Sequence, residues 1–237
     1  MNKGLLFGVL FALSGCVTVT ETAQRTLQSD PTEMAEARIA LGLGYLDNGN
    51  MIKARENLEK ALQHAPSYYR AQLSMAHYFE AVGENDAARK MYRTALSQHT
   101  KNGNVLNNFG TFSCKQAEYD AADEYFRRAV EQPYYYLISA SYENAGLCAL
   151  KAGKTEQARD YFKRAIDHEP SRLRSILQLS KMEIEAGDYA PARLRLMTLN
   201  QRYGYQKASL RLLIELEKRA GNPALKQKYQ ALLASLS

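Results

Sequence analysis

No stretch of this chain is long and apolar enough to span a bilayer as a helix. The longest apolar run, Gly4 to Leu13, holds about ten residues, half of the ~20 a spanning helix needs. Proline and glycine are scarce, at six and 14 of 237 residues, and they are scattered singly. That spacing disfavours a turn-rich sheet protein and favours helices joined by short turns. No cluster of five or more basic residues occurs, so the net charge of +6 is not gathered into a nucleic-acid stripe. Lysine and arginine instead alternate with acids, as in EQARDYFKRAIDHEP, the pattern of a solvated helix face. There is no Cys-x-x-Cys pair, no H-x-x-x-H pair and no glycine loop of the kind that cradles phosphate. With 46% hydrophobic and 24% charged residues, the composition is that of a globular chain.

The apolar run has its own meaning. Lys3 supplies a positive start, and Gly4 to Leu13 has the length of a secretory h-region. Next comes Leu13-Ser14-Gly15-Cys16, which resembles the bacterial lipobox. That resemblance implies cleavage before Cys16 and lipidation of its sulfur and its new amino group. One acyl chain holds a protein weakly, at ~0.8 kcal/mol per buried methylene, whereas several chains on one residue anchor it stably. Residues 1–15 are therefore expected to be a lipoprotein signal peptide, and residues 16–34, polar and threonine-rich, a flexible tether. Val17, rather than Asp, follows the cysteine, and by resemblance to enterobacterial sorting rules this directs the lipoprotein to the outer membrane.

The remainder is periodic. Gly49, Gly83, Ala117, Gly153, Gly187 and Gly221 are separated by 34, 34, 36, 34 and 34 residues. A second ladder runs Ala54, Ala88, Ala122, Ala158 and Ala192, and a third Ala61, Ala95, Ala129 and Ala165. Leu58, Tyr92, Phe126, Phe162 and Leu196 fall between them. This period and pattern resemble the tetratricopeptide repeat, two antiparallel helices per unit. The expected fold is an all-α tetratricopeptide-repeat solenoid over residues 35–237. Its units lie near 35–68, 69–102, 103–136, 139–172, 173–206 and 207–237. The sixth carries Lys226 where the small alanine belongs and reads as a polar cap. A two-residue insertion falls between units three and four, beside Tyr134, Tyr135 and Tyr136, expected as packing aromatics over an opened joint.

Every conspicuous residue then has a packing role, which excludes an enzyme reading; no catalytic residue, metal or cofactor is expected. The four histidines, His64, His77, His99 and His168, are spread over separate units rather than clustered. With Cys16 assigned to lipid, Cys114 and Cys148 form an even pair on neighbouring first helices, in a chain exported to an oxidising compartment. Helix packing at ~8–10 Å lies near the limit for a bridge, so a disulfide and two buried thiols both stay open.

A tetratricopeptide stack binds protein segments in the groove lined by its first helices. Counting along unit one assigns Glu36, Ile39, Leu43 and Leu46 to that groove; unit two gives Arg70, Leu73, His77 and Glu80. Unit one thus offers an apolar stripe with no earlier unit to cover it, the mark of an interaction site unless residues 21–34 fold back over it.

Four stretches in order, ARIALGLGYLDNGN, VLNNFGTF, YENAGLCALKAGK and YAPARL, resemble the PilF/PilW family of type IV pilus biogenesis lipoproteins. The likeness covers nearly the whole chain. It implies a pilotin, a periplasm-facing outer-membrane lipoprotein needed for localisation and multimerisation of the pilus secretin. It also implies that Ile39, Leu43 and Leu46 contact the secretin, with no nucleic acid or small-molecule substrate. A scaffold for β-barrel assembly or for peptidoglycan enzymes is the alternative on the same architecture.

Overall fold

A 34-residue hairpin of two amphipathic helices cannot bury its apolar faces alone, so such hairpins stack. The computed structural model describes residues 30–236, and all of the regular structure among them is helical. Six hairpins follow one another: α1 (Pro31–Asp47) with α2 (Met51–His64), α3 (Tyr69–Ala81) with α4 (Asn85–Gln98), and α5 (Gly103–Lys115) with α6 (Tyr119–Val130). Then come α7 (Ile138–Lys151) with α8 (Thr155–His168), α9 (Leu173–Ala186) with α10 (Tyr189–Tyr203), and α11 (Lys207–Arg219) with α12 (Pro223–Ser235). This is an all-α tetratricopeptide solenoid of six units. Cys16, the apolar run and the tether before Asp30 lie outside the described residues. The first helix starts at Pro31, ahead of the expected boundary at 35. Proline is pre-organised for the first helical position, where its missing N–H is not needed.

The alanine ladders explain the packing within each unit. Ala54, Ala88, Ala122, Ala158 and Ala192 are fully buried, as are Ala61, Ala95, Ala129 and Ala165. They let each second helix press onto its first, where a small residue again waits. A methyl on Gly146 would lie 2.7 Å from the Phe162 ring, so only glycine admits that ring here. Phe162 is fully buried, and burial of such a side chain contributes ~1.5–3 kcal/mol.

Each hairpin turns at a residue with positive φ. Five of these are glycines, from Gly49 at +73° to Gly187 at +85°, but unit three uses Ala117 at +62°. An L-residue in that conformation costs ~1–2 kcal/mol. At the joint between units three and four, the tyrosine run divides. Tyr134 turns the chain at φ +64° and stands in solvent. Tyr135 is buried beside Leu106 and Ala129, and it covers Gly103, whose missing side chain makes the room. Tyr136 is 81% exposed.

Units three and four are also joined covalently by a Cys114–Cys148 disulfide with a Cα–Cα distance of 5.8 Å. The geometry follows from the count. The repeat step here is 36 residues but the cysteines are 34 apart, so Cys148 sits two residues earlier on its helix. At 3.6 residues per turn, two residues rotate a side chain by ~200°. Cys114 therefore faces forward along the stack and Cys148 faces back, which brings the two sulfurs together.

Candidate functional site

The first helices form one wall of the stack, and two adjoining hollows run along it. The first, about 380 Å³, lies among α1, α3 and α5. Leu43 and Leu73 give it an apolar side; Arg70, His77, Asn104 and Asn108 give it a polar one, and Tyr136 stands at its edge. The second, about 420 Å³, lies among α5, α7 and the start of α9. Leu147, Leu150 and the disulfide line its apolar part, with Lys115, Lys151 and Arg174 around them. A groove of this kind holds an extended or helical protein segment through apolar contacts and directed hydrogen bonds.

Internal bonds fix the polar side chains beneath this groove. Asn107 Oδ1 accepts from Ser141 Oγ at 3.0 Å and from Asn144 Nδ2 at 3.1 Å, which ties α5 to α7. Ser141 Oγ is also 2.7 Å from the Tyr135 hydroxyl, so the joint and the groove floor share one network. The Tyr92 hydroxyl donates to Glu80 Oε1 at 2.5 Å, and Lys115 Nζ reaches Glu80 Oε2 at 2.7 Å. Burial pushes the Tyr92 phenol well above its ordinary range, so it stays a donor. Glu143 lies buried, accepting from Ser175 Oγ at 2.9 Å. The acids near the groove are thus occupied, whereas Lys151 and Arg174 make no ion pair with a described residue.

Leu43 lines the first hollow, but Ile39 and Leu46 do not reach it. Ile39 is 2% exposed against Ala35, Ala61 and Ala71; Leu46 is 7% exposed among Ala54, Leu58, Met75 and Tyr78. The assignment of these two to the partner surface is corrected accordingly. Seven residues apart, they share one stripe of α1, directed at α2 and α3. Leu43 lies ~40–60° around the helix from that stripe and so sits at the groove edge. The exposed residues of α1 are Pro31, Glu33, Ala37, Ala40, Leu41 and Asp47, and among them Ala37, Ala40 and Leu41 form a second apolar stripe at helical spacing. Glu143, which stands at the repeat position of Ile39, is likewise buried in the core. Asn108 and Lys151 also line the groove, each one residue beyond a position that the same count reaches in its unit, and Arg174 lines it at the start of α9.

No group of three His, Cys, Asp or Glu side chains among the described residues could hold a metal ion. His77 lines the groove, His99 Nε2 lies 2.7 Å from the Ser67 carbonyl, and His168 stacks on Tyr142.

Tetratricopeptide-repeat family models match residues 45–106 and 115–172. The type IV pilus assembly protein PilF of Pseudomonas aeruginosa is 34% identical over 220 residues, 92% of this chain and 86% of that protein. The solved structure of Pseudomonas aeruginosa PilF superposes with a TM-score of 0.74 at 32% identity, covering 88% of this chain and 94% of that one. That of PilW, described as a widely conserved type IV pilus biogenesis factor, superposes at 0.71 and 25% identity, covering 85% and 92%. The chain belongs to the PilF/PilW family of tetratricopeptide type IV pilus biogenesis proteins.

Proposed function

We propose that this protein is a pilotin. Anchored in the outer membrane by lipid on Cys16 and facing the periplasm, it binds subunits of the type IV pilus secretin and promotes their assembly into the multimeric channel. Membership of the PilF/PilW family carries this reading. The Leu13-Ser14-Gly15-Cys16 sequence supports the anchor. The groove from Leu43 to Arg174 supports the docking step, since it offers apolar side chains beside free cations and amides.

The mechanism needs no bond to be made or broken. Lipid on Cys16 commits the protein to the membrane, and the tether sets how far the groove ranges from it. A secretin segment held in the groove is confined near that surface. Each further subunit then meets its neighbours at an effective concentration fixed by tether length, in the millimolar range for short flexible links.

The test is Cys16→Ala in cells, followed by membrane fractionation and immunoblotting of secretin multimers. A soluble periplasmic protein with monomeric or mislocalised secretin is expected. Normal multimers in the outer membrane would refute the reading. Leu43→Asp in the purified protein should abolish secretin binding while the helical circular dichroism stays unchanged.

A further inference from the structure

The second helices turn an outer face to solvent, and the repeat allows that face to be compared unit by unit. Two residues after each ladder alanine stand Glu56, Lys90, Glu124 and Asp160, and then, in unit five, Leu194. Five residues after it stand Glu59, Arg93, Arg127 and Lys163, and then Met197. Four units keep this surface charged, as a solvated face requires. The fifth makes it apolar, with Leu194 70% and Met197 51% exposed. Helix α10 already buries Ala192, Leu196 and Leu199 on its inner side. Its second apolar side therefore has no role in the stack.

That side borders a groove of about 340 Å³ between α10, the end of α8 and the start of α9. Ile176 and Leu199 form its floor, Leu194 and Pro191 one wall, and Arg195 and Arg202 its charged rim. No carboxylate lines it. Arg195 is held by Glu183 at 2.9 Å, while Arg202 lies over the Tyr203 ring and has no ion pair among the described residues.

We infer that this groove along α10 is a second docking site, and that its occupant is an apolar segment of a partner protein carrying a carboxylate for Arg202. The inference does not depend on the pilotin reading, because it concerns a different groove. Charge complementarity selects the occupant. A second copy docking by the same face has no carboxylate among its own groove-lining residues to offer Arg202. A flat bilayer would touch only the protruding Leu194 and Met197 and leave the floor unfilled, whereas an inserted side chain reaches Ile176 and Leu199. Pro191 to Tyr203 spans ~18 Å of helix, room for about three helical turns or about five extended residues.

The probe is a short fluorescein-labelled helical peptide with leucines along one face and glutamates flanking them. Its twin carries lysines in place of the glutamates. Fluorescence anisotropy with the full chain should show the glutamate peptide binding at least ~10-fold tighter than the lysine twin, a gap of ~1.4 kcal/mol. Leu194→Glu restores the charged residue type of the other units at an exposed position. It should weaken binding at least ~10-fold, as loss of a buried anchor does, with circular dichroism unchanged. Arg202→Glu, a variant independent of that surface change, should reverse the preference between the two peptides. Neither residue lines the groove of the first helices, so binding there would not respond to either substitution. Absent or charge-indifferent binding, or binding that survives both variants, overturns the proposal. So does a Leu194→Glu effect confined to co-sedimentation with phosphatidylglycerol/phosphatidylethanolamine vesicles, which would assign the face to a membrane. A loss of dimer in sedimentation equilibrium without an effect on peptide binding would assign it to a second copy.

Discussion

Reduction of the Cys114–Cys148 bond tests how the middle of the solenoid is held. The bond closes a loop of 34 residues across the joint where the insertion falls. In the chain-entropy treatment, closing a loop of that length removes about 13 cal/mol/K from the unfolded chain, or about 4 kcal/mol at room temperature. Both cysteines are buried in the cluster of Phe126, Phe162 and Leu179, so that packing persists once the bond is cut. The loss should therefore fall mainly on the unfolded state. Urea denaturation of the reduced protein and of Cys114→Ala/Cys148→Ala, followed by far-ultraviolet circular dichroism, should agree to within the small cavity term of the variant. At a denaturant slope of ~2.5 kcal/mol per molar, a 4 kcal/mol loss lowers the midpoint by ~1.5 M. Amide exchange should accelerate in α5 to α8 well before α1 to α4, because each unit contacts only its neighbours. An unchanged midpoint on reduction would refute the reasoning. It would mean that the stacked units, rather than the cross-link, already restrict the chain across the joint.

Three further outcomes are expected. Ala117→Gly relieves the left-handed cost at φ +62° but adds freedom to the unfolded chain, so a net gain of ~0.5–1 kcal/mol is expected by urea titration; a loss would contradict it. Gly146→Ala should cost ~1–3 kcal/mol against the Phe162 ring, while Gly44→Ala, with nothing near its added methyl, should gain up to ~1 kcal/mol; thermal melts of both that move together would refute the packing reading. Arg193 donates to the fully buried Glu217 at 2.7 and 2.8 Å, and this contact holds the Glu217 carboxyl below its ordinary range. The pair's contribution is thus present above the unfolded carboxyl pKa of ~4.3 and is lost as pH falls through the depressed folded value. Arg193→Met leaves a buried carboxylate with Asn222 as its remaining donor at 2.7 Å, at a cost near the low end of ~3–5 kcal/mol at pH 7. Burial then raises that carboxyl, so the variant should gain stability from pH 7 to pH 5; an unchanged pH slope in thermal unfolding would count against this account.

The architecture was legible because the chain states it several times. A glycine or alanine at one turn is ambiguous, but Gly49, Gly83, Ala117, Gly153, Gly187 and Gly221 in register can only mark a repeated backbone event. The site was less legible, and unit one shows why. Ile39, Leu43 and Leu46 are all aliphatic and lie within two helical turns, yet two face α2 and α3 while only Leu43 borders the groove. An apolar residue near the boundary of a core stripe satisfies either environment, and a difference of ~40–60° around a helix is smaller than any periodicity count resolves. The cysteine pair shows a case where counting was sufficient once completed. The two-residue offset was ambiguous as a distance along the helix, but as a rotation of ~200° it sets the cysteines facing each other.

Repetition also separates packing from function in a way that a single-copy fold does not permit. Wherever all units agree, stacking explains the residue, since each helix must fit the same neighbour. Departures from agreement need another cause, and they fall into two groups. Those at the joint between units three and four, namely the insertion, Tyr135 over Gly103 and the disulfide, have their partners inside the molecule. Leu194 and Met197 do not. Each replaces a charged residue on a solvated face, and each loses hydration without gaining a partner in the stack. Such an exposed apolar patch lowers solubility unless something covers it. The argument for a partner at α10 therefore rests less on the groove's shape than on the four sister units, which show what this surface carries when nothing binds it.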